Sequence, residues 1–174
     1  METVTYEGRT YRRVNARWVD SSNFIVNETL QRELNHLYLE TLDYTSFSVE
    51  ELIEEGDKLR DSSSYRQAII FYEKATADCD ESTLKFVLPR ITSCYRKCNM
   101  PRSVIDLFTT LKRRFGEGFI TPVLLTSVAA AYCDLQEYDN ALRCCKWAYK
   151  NFGGKSDPNL IHVWARIKKE SGLE

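Results

Sequence analysis

The sequence predicts a mainly α protein: an α–α superhelical stack of repeated helix pairs, preceded by a small N-terminal β-meander. Three observations carry this reading. The 174 residues hold only 7 Gly and 4 Pro, too little turn punctuation for many short strands. From Ser48 onward apolar residues recur at helical spacing, and three segments repeat at intervals of 36 and 37 residues. β-Branched and aromatic residues set between Gly and Asn breaks are confined to residues 1–26. A chain near this length hides roughly 70% of its unfolded surface, so its core needs no staples.

Val4-Thr5-Tyr6, a turn at Glu7-Gly8 and Thr10-Tyr11-Arg12-Arg13-Val14 read as a hairpin. Asn15-Ala16 turns the chain again into Arg17-Trp18-Val19. A meander this small is marginal alone and needs a helix to pack on. Asn27 is a good N-cap for that helix, with Glu28 in its first turn. Leu30, Leu34, Leu37, Tyr38 and Leu42 then share one face. Residues 43–47 read as a linker, so residues 1–47 form an N-terminal element and residues 48–174 the helical repeats.

Ser48-Val49-Glu50-Glu51 forms a capping box, the Ser hydroxyl taking a backbone N–H while Glu51 reaches back. The repeated segments run over residues 65–75, 101–111 and 138–148. Ala68 to Val104 spans 36 residues and Val104 to Ala141 spans 37. Each follows another helical stretch, 51–60, 88–97 and 124–134, so the unit is helix–turn–helix. The three units run over about 48–81, 84–117 and 121–154. A capping helix over 157–171 follows, with Ser156 or Asp157 as N-cap, Pro158 in the first turn, and Leu160, Ile161, Trp164 and Ile167 on one side.

This pattern resembles the tetratricopeptide repeat (TPR) family over residues 48–154. Gly56, Leu59, Tyr65, Ala68, Tyr72 and Ala75 match the family's small and large positions in the first unit. Ala129, Tyr132, Tyr138, Ala141 and Ala148 match in the third, with Cys145 at the usual aromatic position. The middle unit is degenerate, with Thr92 for the Gly, Val104 for the Ala and Leu111 for the second Ala. Both spacings exceed the family's usual ~34 residues. The small residues let helix backbones approach, and large residues at 59, 72, 108 and 132 fill the grooves between neighbours.

The resemblance implies a non-enzymatic protein-interaction module that holds a peptide or helix in a concave groove. It points Ile53, Glu54, Asp57 and Asp61 into that groove from the first unit. Phe86, Arg90, Ser93 and Lys97 point in from the second, and Val123, Thr126, Ser127 and Ala130 from the third. Some family members clamp a C-terminal carboxylate with Lys and Asn. Ile53 and Asp57 stand at those positions here, so that ligand is not implied. The related pentatricopeptide repeat reads single-stranded RNA, which makes RNA binding the alternative. Homodimerisation through the open end of the stack or the N-terminal hairpins is a third reading.

The remaining chemistry is sparse. Lys and Arg number 24 against 25 Asp and Glu, a net charge of -1 that gives nucleic acid little electrostatic hold. Arg12-Arg13 and Arg17-Trp18 could still stack on a base or clamp a phosphate, although such residues usually lay their stems on the sheet and face solvent. The run Lys112-Arg113-Arg114 closes a helix, where cations suit the dipole. Neither His36 nor His162 sits in a hydrolase or metalloprotease context. Cys94 and Cys98 are spaced i, i+4, but no second pair with zinc-site spacing follows. The six cysteines read as small buried hydrophobes in a reducing, cytoplasmic compartment. No apolar run reaches the ~18 residues of a membrane span, and the first residues carry no secretory-signal pattern. The expectation is a protein with no enzyme activity, metal or cofactor.

Overall fold

The computed structural model describes residues 2–153 and 158–172. The chain is mainly α, with eight helices and a three-stranded antiparallel sheet among the described residues. It divides into two compact units, one through Asp78 and one from Cys79 onward. The break expected after residue 47 is therefore not where the chain divides. The supposed linker is the reason. A 3-10 turn at Tyr44–Ser46 places Tyr44 and Phe47 edge-on against Phe71, 5.5 and 6.3 Å between ring centroids. Those aromatic contacts tie the N-terminal element to the first helix pair.

In the first unit, β1 (Thr3–Tyr6), β2 (Arg9–Val14) and β3 (Arg17–Val19) form the meander in the order β1-β2-β3. Both connections are two-residue turns with left-handed dihedrals: Glu7 and Gly8 at φ 48° and 74°, Asn15 and Ala16 at 49° and 60°. These are the primed turns whose twist suits a hairpin. Period-2 alternation puts Val4, Tyr11, Arg13 and Trp18 on one face. Helix α1 (Glu28–Thr41) covers that face, with Leu34 and Tyr38 packed on Val4, Tyr11 and Trp18. Trp18 Nε1–H donates to the buried Asn35 side chain at 2.8 Å. As expected, the Leu30 N–H donates to Asn27.

Helices α2 (Val49–Asp61) and α3 (Tyr65–Asp78) complete the first unit as a tightly packed pair. The capping box at Ser48 and Glu51 is formed in both directions. In the second unit, α4 (Glu81–Lys97) and α5 (Pro101–Phe115) pair, as do α6 (Pro122–Asp134) and α7 (Tyr138–Phe152). Helix α8 (Pro158–Ser171) packs on α6 and α7. Pro101, Pro122 and Pro158 each open a helix, where the missing N–H costs nothing.

Helix α4 starts at Glu81 under an Asp80 cap, seven residues before the periodicity alone places it. In α8, Leu160 and Ile167 are buried and Trp164 meets Tyr149 edge-on, but Ile161 is 54% exposed. The expected four-residue apolar side is thus narrower, because Ile161 lies next to Leu160 and about 100° round the helix from it. The expected caps Ser156 and Asp157 lie outside the described residues. No described helix is long and apolar enough to cross a membrane.

Candidate interaction face

The expected packing residues sit in the interior. Ala68, Tyr72, Ala75, Ala129, Ala141 and Ala148 are fully buried and Gly56 is buried, while Tyr132 is half-buried. Gly56 lies against Tyr72: a Cβ on it would fall 2.6 Å from Tyr72 Cε1. The equivalent position of the next pair holds Thr92, which buries its hydroxyl by donating to the Leu88 carbonyl at 2.7 Å. Burial of that hydroxyl costs little because the back-bond satisfies it. Large aromatics link the pairs of the second unit. Phe108 lies 6.5 Å from Trp147 and 6.3 Å from Phe119. Lys112 sits over Trp147 at 4.4 Å, so the first cation of the basic run is absorbed in packing.

The expected groove residues divide into two groups. Ile53 and Ala130 are buried, as is Thr126, so none offers a side chain to a ligand. This corrects the sequence reading: both Ile53 and Ala130 lie on apolar stripes that the packing consumes. Asp57 accepts the Tyr72 hydroxyl at 2.6 Å and an Arg60 ion pair at 2.8 Å, so its carboxylate holds the helix pair together. The other group stays at the surface of the second unit. Phe86 is 54% exposed and Val123 50% exposed. Ser93 and Lys97 are exposed, and Ser127 is half-exposed and donates to the Val123 carbonyl. Phe86 and Val123, and likewise Arg90 and Ser127, occupy equivalent positions of α4 and α6, two helices packed on each other. The Arg90 guanidinium lies 3.7 Å from the centre of the Phe86 ring and donates to the Phe86 carbonyl. At the far end of α4, Arg96 pairs with Asp134, which also takes Arg166 of α8.

Phe86 and Val123 are thus exposed apolar side chains, and Arg90 lies against the Phe86 ring. A ring with a guanidinium laid on it is half desolvated already, so an apolar side chain added there displaces little bound water.

The first unit holds a different charged feature that the sequence did not reveal. Arg13 was expected at the surface, yet its side chain is 2% exposed. Its Nη1 donates to Glu2 at 3.0 Å and to Glu55 at 2.9 Å, and its guanidinium lies over Tyr38 at 4.7 Å. Burial works against the Arg13 charge, but Glu55 and Glu2 more than offset this and hold its pKa above the ordinary value. Burial, with the hydrogen bond to Glu2, pushes the Tyr38 hydroxyl well up. A cavity of about 490 Å³ lies beside the cluster, with Arg17, Lys58 and Asp61 in its wall. Its carboxylates are already matched: Glu55 takes Lys58 as well as Arg13, and Asp61 takes Arg60. The Arg13 Nε and Nη2 hydrogens find no acceptor among the described residues, but both atoms are sealed from solvent. Arg13 acts as a tie between the sheet and α2. Only its position in the alternation, on the face with Tyr11, hinted at this.

Trp18 is fully buried, so it presents no ring for a base to stack on. His36 is exposed beside Glu40, and His162 is exposed. Among the described residues, no three His, Cys, Asp or Glu side chains come together as a metal site would need. Burial raises the thiol pKa values of Cys133, Cys144 and Cys145, the last two to about 11 and about 12. None of these three is an activated nucleophile. No family model matches the chain, and no curated protein matches it.

Proposed function

We propose that this protein is a non-enzymatic interaction module, and that it docks a peptide or helix on the exposed face of α4 and α6. The observation that carries this reading is the Phe86–Arg90 stack on α4, with Val123 exposed at the equivalent position of α6. Two large apolar side chains stay exposed at equivalent positions of adjacent helices, where a buried core could have absorbed them. The TPR-like spacing of the helix pairs supports the same reading. Arg90 and Lys97 stand two turns apart on α4, so the favoured segment carries an acidic side chain and an apolar one. Such binding is weak and transient, with the cations mainly setting the on-rate.

A fluorescence-anisotropy screen of acidic-apolar peptides tests it, with mixed single-stranded RNA as a second probe. Arg90→Glu with Lys97→Glu should abolish peptide binding and leave the melting temperature nearly unchanged. Binding that survives this double variant removes the face as the site. Salt-sensitive binding of RNA in place of peptide would favour the nucleic-acid reading.

A further inference from the structure

The two edges of the N-terminal sheet are finished differently. The register follows from the Arg13 N–H donating to the Glu2 carbonyl and from the pairing of Val4 with Tyr11 and Tyr6 with Arg9. In an antiparallel pair, hydrogen-bonded and non-hydrogen-bonded positions alternate. Glu2, Val4 and Tyr6 therefore bond inward to β2, and the backbone N–H and C=O of Thr3 and Thr5 point outward. By the same alternation, the outward groups of β3 belong to Trp18. There the Gln31 side-chain amide closes the edge: the Trp18 N–H donates to Gln31 Oε1 at 2.9 Å, and Gln31 Nε2 donates to the Trp18 carbonyl at 2.7 Å. Residues 20–26 cover it further, with Val19 bridged to Ile25.

The β1 edge has no such cover. No described residue bonds the outward backbone groups of Thr3 or Thr5, and both residues are exposed. The strand Thr3-Val4-Thr5-Tyr6 carries neither Pro, nor Lys, nor a bulge, so shortness is its one guard against edge pairing. We propose that two copies of this chain pair through β1, antiparallel about a two-fold axis at Val4, to form one six-stranded sheet.

The register is self-complementary. Thr3 of each copy exchanges backbone bonds with Thr5 of the other, and Val4 meets Val4 across the axis in the closer, non-hydrogen-bonded spacing. Glu2 stands opposite Tyr6 of the second copy, so no like charges oppose each other. The isologous contact uses up both open edges, and Gln31 blocks the outer ones, so the sheet stops at six strands instead of growing into a fibre. A second copy fits better than a foreign peptide. The edge is short and its exposed side chains are threonines, with no pocket to select a peptide's side chains.

The test is sedimentation equilibrium of the full chain over a dilution series, with melting temperatures as the folding control. The natural chain should reach twice its monomer mass. Thr3→Glu with Thr5→Glu places like charges opposite one another at both ends of the paired strands and should weaken the dimer about tenfold or more. Thr3→Glu with Thr5→Lys places opposite charges there and should keep it. Thr5→Pro removes an outward N–H that the sheet does not use, so it should give a folded monomer. A natural chain that stays monomeric at every concentration overturns the proposal. So does a dimer that survives Thr5→Pro, or one that responds alike to both charge pairs. None of these outcomes bears on peptide docking at Phe86 and Arg90.

Discussion

Gly56 and Tyr72 occupy a single packing site: the tyrosine ring fills the space where any other residue at 56 would place its Cβ. The ring in turn donates its hydroxyl to Asp57, on the helix that carries Gly56. Alanine in a helix is ordinarily better than glycine by roughly 0.5–1 kcal/mol. Here Gly56→Ala should have the opposite sign and destabilise by about 1–3 kcal/mol, as overpacking does. Urea unfolding decides it; a stabilised Gly56→Ala would mean that the ring yields without strain.

Ala141→Leu should cost at least as much. Ala141 is fully buried on α7, the helix packed most closely on α6. Three added carbons have nowhere to go, and about 1–3 kcal/mol or more is the expected loss. A thermal midpoint unchanged within error would show that this contact is looser than the structure has it.

Gln31→Leu should destabilise the first unit by about 1–3 kcal/mol, because the Trp18 N–H loses its partner and the Trp18 carbonyl keeps only the Val26 N–H. Urea unfolding reads the loss, and a midpoint unchanged within error would mean that Gln31 does not hold this edge.

Acid should loosen the tie between sheet and α2. Burial works to raise the Glu55 pKa, but the hydrogen bond from Lys58 and the charge of Arg13 outweigh it and hold it below the ordinary carboxylate value of 4.5. A depressed folded-state pKa contributes stability that is present above 4.5 and is lost as pH falls through the folded value. The melting temperature should drop on acidification below about 4.5, and Glu55→Gln, already lacking that contribution, should drop less. Parallel melting curves for the two proteins across this window would exclude Glu55 as a contributor.

Cys144 and Cys145 should resist alkylation in the folded protein. Burial pushes their thiols to about 11 and about 12, so almost no thiolate exists near neutrality. Mass spectrometry after timed iodoacetamide treatment should find both modified only once denaturant is added. Rapid labelling of the native chain would mean that α7 opens readily.

The local structure was written in short stretches of sequence. The Asn27 cap, the Ser48–Glu51 box and the turns at Glu7-Gly8 and Asn15-Ala16 depend on neighbours within a few positions. Those interactions are fixed by residue type and spacing. Which polar residues would be buried was not legible in this way. Arg13 reads as one of several surface arginines until Glu2 and Glu55, brought in from outside its strand, neutralise it. Ile53 and Ala130 read as groove residues until the packing of the helices buries them. Tyr44 and Phe47 read as a linker until they meet Phe71. Each of these outcomes is set by a partner distant in sequence, and burial of a charge or an apolar side chain depends on what arrives opposite it. The same holds for the sheet edges: composition alone does not distinguish β1 from β3. Only the tertiary structure swings Gln31 onto Trp18 and leaves Thr3 and Thr5 with open backbone groups, because Gln31 and residues 20–26 reach the β3 edge while no described residue bonds the outward backbone of β1.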